Sequence, residues 1–315
     1  MKDRAISLLS RLYLKVSWWP RMVAVTYHRV GPGTTTTRAH LRAHLEFLVR
    51  HYDVLVPSRL HSVRSKRGAA VVTVDDCHQD IYHHLFPVAK ALNVPLTICV
   101  PTDFFFRRQW LWFDQVYWML NHARPGCEVE VKEKRLVVGN RRSLDWLKTF
   151  LKSQLPQGRS ETLRSLSEQI GCSVPDEPVD VYQAVTPDQM REMLSSGLVE
   201  IASHTLTHTI ATVMSDADLQ RELVTSKEEL ESFSGREVAT FCYPNGHAGD
   251  FDQRTTRLVK AAGYKMALTS VEGINRLNAM DPYTVMRIHA HPRQGIFERR
   301  ASGLGELYRR FQLQV

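Results

Sequence analysis

No CxxC pair occurs anywhere in the 315 residues, and the five cysteines (Cys77, Cys99, Cys127, Cys172 and Cys242) are odd in number and scattered. That excludes a disulfide framework and a thiolate zinc site, and fits a reducing compartment. No uncharged run reaches the roughly 18 residues that a spanning helix needs. There is no GxGxxG and no GxxxxGKS/T, so the dinucleotide and P-loop signatures are absent too. Sixteen Gly and 14 Pro are too few for a low-complexity chain, and only Thr34–Thr37 repeats a residue type over four positions. What is present is ordinary for a globular protein: 43% hydrophobic and 23% charged residues. Lys and Arg number 41 against 33 Asp and Glu, a net charge of +8. The basic residues form no stripe interleaved with aromatics and no nucleic-acid motif occurs, so nucleic acid is not an expected partner. Phosphate-bearing substrates or anionic lipid suit the charge.

The N-terminal segment does not read as a signal peptide, because Arg11 and Lys15 break Ile6–Val16 and no small-residue cleavage site follows. The expected location is therefore cytoplasmic, or peripheral on the cytoplasmic face of a membrane. Ala5, Leu8, Leu9, Leu12, Tyr13 and Val16 share one helical face; Asp3, Arg4, Ser7, Arg11 and Lys15 take the rest, with Trp18–Trp19 following. Two readings stay open: a helix packing on its own domain, and a monotopic anchor on an anionic bilayer. The stretch Glu298–Leu313, with Arg299, Arg300, Arg309 and Arg310 beside Leu304, Leu307, Tyr308 and Phe311, has the same ambiguity. The expected organisation is an amphipathic helix over 1–20, a main domain over 21–295 and a basic tail over 296–315.

Short β-branched runs at Met22–Tyr27, Ala69–Val74, Leu96–Val100, Leu198–Ala202, Ala239–Tyr243, Lys265–Thr269 and Thr284–Ile288 predict seven strands. Helical stretches are predicted between them at Arg38–His51, Tyr82–Leu92, Pro187–Ser195, Asp216–Phe233 and Asp252–Ala262, the fourth opened by a Ser215/Asp218 capping box and closed by Gly235. Seven strands with intervening helices point to a closed or nearly closed α/β barrel. Residues 111–185 interrupt the rhythm and read as an inserted cap: a hairpin over Glu128–Val138 turning at Lys134–Arg135, then helices over Ser143–Leu155 and Ser160–Ile170. Trp110, Trp112, Phe113, Tyr117 and Trp118 at its entrance form either a core seam or a surface for stacking on sugar.

In βα barrels chemistry sits at the C-terminal ends of strands. Asp75–Asp76 follow the second run, Ser203 to His208 follow the fourth, and Pro244–Gly246 follow the fifth; His28 and Arg29 end the first, and Arg287, His289 and His291 close the last. Fourteen His yield about 0.6 pairs at i,i+4 by chance, so His204/His208 alone decides little. A second pair, His40/His44, lies on a helix whose Leu41, Leu45 and Leu48 make it a packing element. Position raises the odds for the first pair. Two imidazoles and a carboxylate make a facial ligand set suited to Zn²⁺, and a neighbouring carboxylate is where a general base belongs. Adjacent strand residues diverge, so one Asp can face a metal and the other a water. Such a site needs Asp76 within about 6 Å of the imidazoles.

Thr73-Val74-Asp75-Asp76 resembles the TFDD motif, and Ser203 to His208 the SHTxxH motif, of the polysaccharide deacetylase family (carbohydrate esterase family 4, NodB homology). Tyr27-His28-Arg29-Val30, Pro95–Val100, Phe241–Gly246 and Ala262–Ala267 extend the similarity, in order, from about Val23 to His289. The resemblance implies a distorted (β/α)7 barrel and metal-dependent removal of acetyl groups from glycans. It implies Asp75 as the base, Asp76, His204 and His208 as metal ligands for Zn²⁺ (or Co²⁺ or Ni²⁺), and Asn245 and Tyr243 as the substrate and oxyanion residues, with Asn245 donating a main-chain N–H to the oxyanion.

Three positions depart from the pattern. Cys77 replaces a Gly, Cys242 stands where an Arg would orient the base, and Asn245 replaces a Tyr. Arg287 could supply the missing cation, the alternative being a structural ion pair. The general acid is open among His28, His289 and His291, with His28 favoured by its strand-end position. The expected activity is N-deacetylation of an amino sugar in a glycan or in a lipid-linked or nucleotide-linked sugar. The alternatives are a related deformylase or O-deacetylase, and a catalytically silent glycan-binding homologue. Oligomeric state is not legible.

Overall fold

The computed structural model describes residues 2–16, 20–63 and 67–306. Seven parallel strands form its centre: β1 (Arg21–Tyr27), β2 (Ala69–Val74), β3 (Leu96–Val100), β4 (Val199–Ser203), β5 (Thr240–Cys242), β6 (Met266–Glu272) and β7 (Val285–His289). They pair in the order β1-β7-β6-β5-β4-β3-β2, and β2 closes on β1 from Met22↔Ala69 to Tyr27↔Val74, so the sheet is a barrel. The two-residue strands Asp53–Val54 and Asn275–Arg276 add to the outer parts of β2 and β1. Every residue of β1, β2 and β3 is buried, because helices cover the outside and side chains fill the inside.

Period-two alternation sorts the strand residues into two layers. Met22, Ala24, Val71, Cys99, Ala202, Cys242, Leu268 and Val285 form one inner cluster. Val23, Val25, Tyr27, Ala70, Val72, Val74, Phe241 and Tyr243 pack outward in the cluster shared with the helices. Continuing the inner phase one pleat beyond Val71, Ala24 and Val285 gives Thr73, Thr26 and Arg287, and a further step on β2 gives Asp75. The barrel is therefore apolar below and polar at its mouth.

The outer helices are α1 (Lys2–Val16), α2 (Arg38–His51), α3 (Phe86–Ala91), α4 (Thr102–Arg107), α5 (Trp112–His122), α6 (Arg141–Lys152), α7 (Pro156–Ile170), α8 (Pro187–Ser195), α9 (Asp216–Ser234), α10 (Gln253–Ala261) and α11 (Gln294–Ser302). Thr37, Thr186 and Asp252 cap α2, α8 and α10 in reciprocal boxes, each cap contributing about 1 kcal/mol. At α9 Ser215 accepts from Asp218 N, but its hydroxyl also donates to the Asp218 carboxylate at 2.7 Å, so the predicted box is an ordinary cap; Gly235 closes the helix at φ +64°. The single helix predicted over Tyr82–Leu92 is a wide π turn at Ile81–Leu85 followed by α3. Pro87, which has no N–H to give, sits in the first turn of α3.

The insertion leaves the barrel after α4 and rejoins it where Val185 N donates to Cys77 O at 3.0 Å. It has an apolar core of its own, including Trp112, Val116, Met119, Leu136, Leu147, Leu151, Leu163 and Leu166. Its hairpin pairs Glu128–Val131 with Lys134–Val137. The turn is Lys132–Glu133, both at positive φ, not Lys134–Arg135, which lie in the second strand. The boundary expected at 295/296 falls inside α11, whose Phe297 and Ala301 are fully buried in the main core, so these residues belong to the barrel. Trp18, Trp19, Leu307, Tyr308, Arg309, Arg310, Phe311 and Leu313, to which the sequence drew attention, lie outside the described residues.

Candidate active site

Asp75 follows β2 directly, its N–H held by Tyr27 O at 2.9 Å. The chain then turns through two consecutive left-handed residues, Asp76 (φ +72°) and Cys77 (φ +63°). That turn swings the two carboxylates apart, Asp75 into the barrel and Asp76 toward the loop after β4. A left-handed φ is also why glycine suits position 77. The Cys77 thiol is fully buried in the outer core, where burial pushes its pKa up, and it is not among the groups gathered around Asp76.

His204 and His208 come from the loop after β4, with Thr205 and His208 also left-handed. Asp76 Oδ1 lies 3.2 Å from His208 Nε2 and 3.7 Å from His204 Nε2. The three donor atoms are within 4.8 Å of one another and all three residues are buried. Donors about 2.0–2.1 Å from one tetrahedral ion would stand about 3.3 Å apart, so the spacing suits a divalent metal. His204 Nδ1 lies 2.7 Å from Cys242 O. In the neutral ring, donation to that carbonyl leaves the Nε2 lone pair facing Asp76. Without an ion, burial works against the ring's charge, but the acidic groups around it, Cys242, Asp75 and Asp76, hold the His204 pKa up at about 9, so taking a metal would displace a proton. His208 has Phe113 edge-on at 5.3 Å. Burial lowers the His208 pKa despite its hydrogen bond to Asp76, favouring the neutral imidazole that a ligand must be.

Glu222 of α9, which the sequence reading missed, fixes this loop. Its buried carboxylate accepts from Leu206 N (2.8 Å), Thr207 N (3.0 Å) and Thr207 Oγ1 (2.8 Å).

Asp75 is held by Arg287 in a two-pronged contact, Nη1 to Oδ1 and Nη2 to Oδ2, both 2.8 Å. Arg287 is fully buried and also donates to Thr269 O (2.6 Å), Thr73 Oγ1 (3.0 Å) and Thr26 Oγ1 (3.1 Å). Cys242 Sγ lies 3.7 Å from Asp75 Oδ1. Position 242 thus does face the carboxylate, while the cation arrives from β7. Burial works against the Asp75 charge, but Arg287, with smaller effects from His28 and His204, holds its pKa well below the usual carboxylate range. Asp76 is likewise held low against burial, chiefly by His208. Both carboxyls are ionised.

The remaining sequence-derived residues divide. His28 Nε2 is 3.8 Å from Asp75 Oδ2, and its side chain is 47% exposed. His289 stacks on His28 with ring centres 6.4 Å apart, and His247, another residue the sequence reading passed over, lies 6.2 Å from His289. His291 turns away, its Nδ1 accepting from Arg293 N at 3.1 Å. Asn245 stands at the mouth at φ +62°, its side chain bonded to Asp250 and to Lys152 Nζ (2.7 Å) of the insertion. Among the described residues no carbonyl accepts its N–H. Tyr243 is a correction. Its ring lies in the outer core against Phe251, and its hydroxyl donates to Tyr283 O at 3.3 Å. Cys242 faces inward, so period two sends its neighbour out. His40 and His44 also separate: His40 caps α2, whereas His44 is buried between Phe297 (3.8 Å between ring centres) and the Tyr27 hydroxyl.

The insertion meets the mouth at further points. Asp114 bonds His78 at 2.7 Å, and Arg159, buried, donates to Thr209 Oγ1 at 2.6 Å with its guanidinium over Trp112. Trp110 and Trp118 spend their indole N–H groups on Pro175 O and Ser173 O and pack on Tyr182, forming a seam within the insertion. A cavity of about 130 Å³ between the insertion and the loop after β4 is lined by Trp110, Trp112, Gln115, Arg159, Leu206 and Thr207.

The family model for polysaccharide deacetylase matches residues 159–267. Among solved structures, the deacetylase PplD of Streptococcus pyogenes superposes with a TM-score of 0.59 at 15% identity, over 89% of this chain and 98% of that one. IcaB of Ammonifex degensii gives 0.58 at 15% identity (89% and 97%), and a polysaccharide deacetylase of Bacillus cereus gives 0.57 at 18% (90% and 70%). No curated protein matches. The segment that matches the polysaccharide deacetylase model carries both histidines of the metal-type cluster, and the seven-stranded barrel around it is the fold shared with these structures.

Proposed function

We propose that the protein is a divalent-metal-dependent hydrolase that removes the N-acetyl group from an amino sugar, carried in a glycan or in a lipid-linked or nucleotide-linked sugar. The match of residues 159–267 to the polysaccharide deacetylase model supports glycan deacetylation in general. The observation that carries the finer reading is the Asp76–His204–His208 cluster beside a second, unshared carboxylate, Asp75, that is clamped by Arg287.

Asp76, His204 and His208 would hold the ion, with Zn²⁺ the best match to two imidazoles and one carboxylate and Co²⁺ or Ni²⁺ as alternatives. When bound, such an ion acidifies water and polarises the acetyl carbonyl. Asp75 is the proton acceptor. Arg287 keeps it ionised and fixes its plane, so its free lone pairs are aimed before substrate arrives. A carboxylate held this low is a weak base, which is why it belongs beside a metal cluster. The Asn245 N–H is the donor to the developing oxyanion. His28, half exposed and near Asp75, is the group placed to protonate the departing amine; His289 lies behind it and His291 is out of reach. The cavity beside Trp112 and Arg159, with its aromatic and polar lining, suits a sugar ring.

The test is acetate release from N-acetylhexosamines, free, nucleotide-linked and lipid-linked, with Zn²⁺, Co²⁺ or Ni²⁺ added. Acetate release that is lost in Asp75→Asn while metal content is kept is the expected result. Formate as product, or turnover indifferent to Asp75→Asn, would overturn the reading.

A further inference from the structure

Helix α1 docks by a mixed face that leaves a second apolar side unused. Leu14 packs against the main core and Tyr13 lies under the Arg21 guanidinium, and polar residues make the rest of the contact. Ser10 is fully buried, Arg11 bonds Glu298 through Nη2 (2.7 Å) and Nε (3.0 Å), Ser7 bonds the same carboxylate, and Asp3 accepts from Gly295 N at 3.1 Å. Glu298 itself is fully buried by this docking. Four large apolar residues face outward: Leu8 is 60% exposed, Leu9 56%, Leu12 49% and Val16 76%. At 3.6 residues per turn these four and the exposed Ala5 span an arc of about 100°. The other exposed large apolar residues among those described, Val49, Tyr117, Leu155 and Val181, are scattered singly over the surface.

What covers this arc is indicated by its borders. Arg4 and Lys15 are exposed along one edge, with Arg11 just beyond them. The acid of this helix, Asp3, is turned onto α11, so no carboxylate of α1 lies on the outward side. We propose that α1 is an interfacial helix that seats on an anionic lipid bilayer. The leucines and Val16 enter the boundary between headgroups and acyl chains, and Arg4 and Lys15 lie at the level of the lipid phosphates. Pairing of two copies through the same arc would bring like charges together, whereas an anionic surface matches both the edge and the net charge of +8. The polar docking onto α11 holds the arc open. The helix runs alongside α11, from Asp3 at Gly295 to Arg11 at Glu298, so the seated protein lies with that side of the barrel against the lipid. The inference does not depend on the proposed reaction, and it is read by binding alone.

The experiment is vesicle co-sedimentation of the full chain with phosphatidylcholine alone and with phosphatidylcholine containing phosphatidylglycerol. Binding to the anionic vesicles at low salt, at least tenfold stronger than to the neutral ones and weakening as salt rises, is expected. The combined variant Leu8→Ser, Leu9→Ser, Leu12→Ser, Val16→Ser should lose tenfold or more of that binding with an unchanged thermal midpoint, because these side chains touch little of the fold. Arg4→Gln with Lys15→Gln should lose severalfold and flatten the salt dependence. Failure of the wild type to bind anionic vesicles, or undiminished binding of the serine variant, would overturn the proposal. So would a lipid-free dimer that the serine variant dissolves.

Discussion

The barrel and its insertion both place polar groups at the same mouth, and they do so by different means. In the barrel each group is braced by a neighbouring strand: Arg287 on β7 reaches Thr26 of β1, Thr73 of β2 and Thr269 of β6 before it clamps Asp75. The insertion is built around an apolar core of its own and touches the mouth through separate side chains, Lys152, Arg159, Phe113 and Asp114. The comparison teaches a division of labour: the strands brace the buried carboxylates, and the insertion walls the mouth above them.

That division can be broken by experiment. The largest effect belongs to Asp75→Asn, for which we expect turnover to fall by about 10³–10⁴, with metal content and fold preserved; an effect below tenfold would remove Asp75 from the chemistry. Arg287→Met should come next, destabilising the protein by about 3–5 kcal/mol because it strands a buried carboxylate. Adding Asp75→Asn to Arg287→Met should restore most of that loss in a denaturant titration, and independent effects of the two changes would refute the coupling.

A third measurement concerns the outer layer of the barrel. Burial pushes the His44 pKa down to about 4, against about 6.5 in the unfolded chain. The folded state thus binds fewer protons between those values. Its stability is complete above about pH 6.5 and falls as pH drops toward 4, by at most about 3 kcal/mol. His44→Phe, which keeps the stack on Phe297, should flatten that slope in thermal melts; an unchanged slope would assign it elsewhere. The smallest effect is expected in the insertion. Lys152→Ala removes one side-chain bond to Asn245 and should raise KM severalfold, about 1 kcal/mol, with kcat nearly unchanged. A large loss in kcat would mean that the insertion takes part in the chemistry after all.

Much of the barrel was legible because strands covered on both faces read as unbroken apolar runs, and because the mouth of a parallel barrel is where those runs end. The same periodicity already contained the correction for Tyr243: with Cys242 facing in, its neighbour had to face out. Glu222 was hidden for another reason. It lies in the middle of α9, in a sequence rich in Glu and Lys, and only the fold shows that the turn at Leu206–Thr207 lands on it. Lys152 and Asp114 were hidden because the insertion's placement follows from tertiary packing, to which local pattern is blind. For α1 the pattern found the apolar arc of Leu8, Leu9, Leu12 and Val16, but it also put the half-buried Tyr13 there, and it did not show which side points inward, since the deciding partner, Glu298, is nearly 300 residues away.

The closure of β7 against β1 has a consequence for the folding chain. Asp75, Asp76, His204 and His208 all precede residues 285–289 in the chain. Burial of Asp75 and delivery of its cation are therefore one event: the closing pair of first and last strands that shuts the barrel also brings Arg287 to the carboxylate, so the fold never has to hold that charge buried and alone.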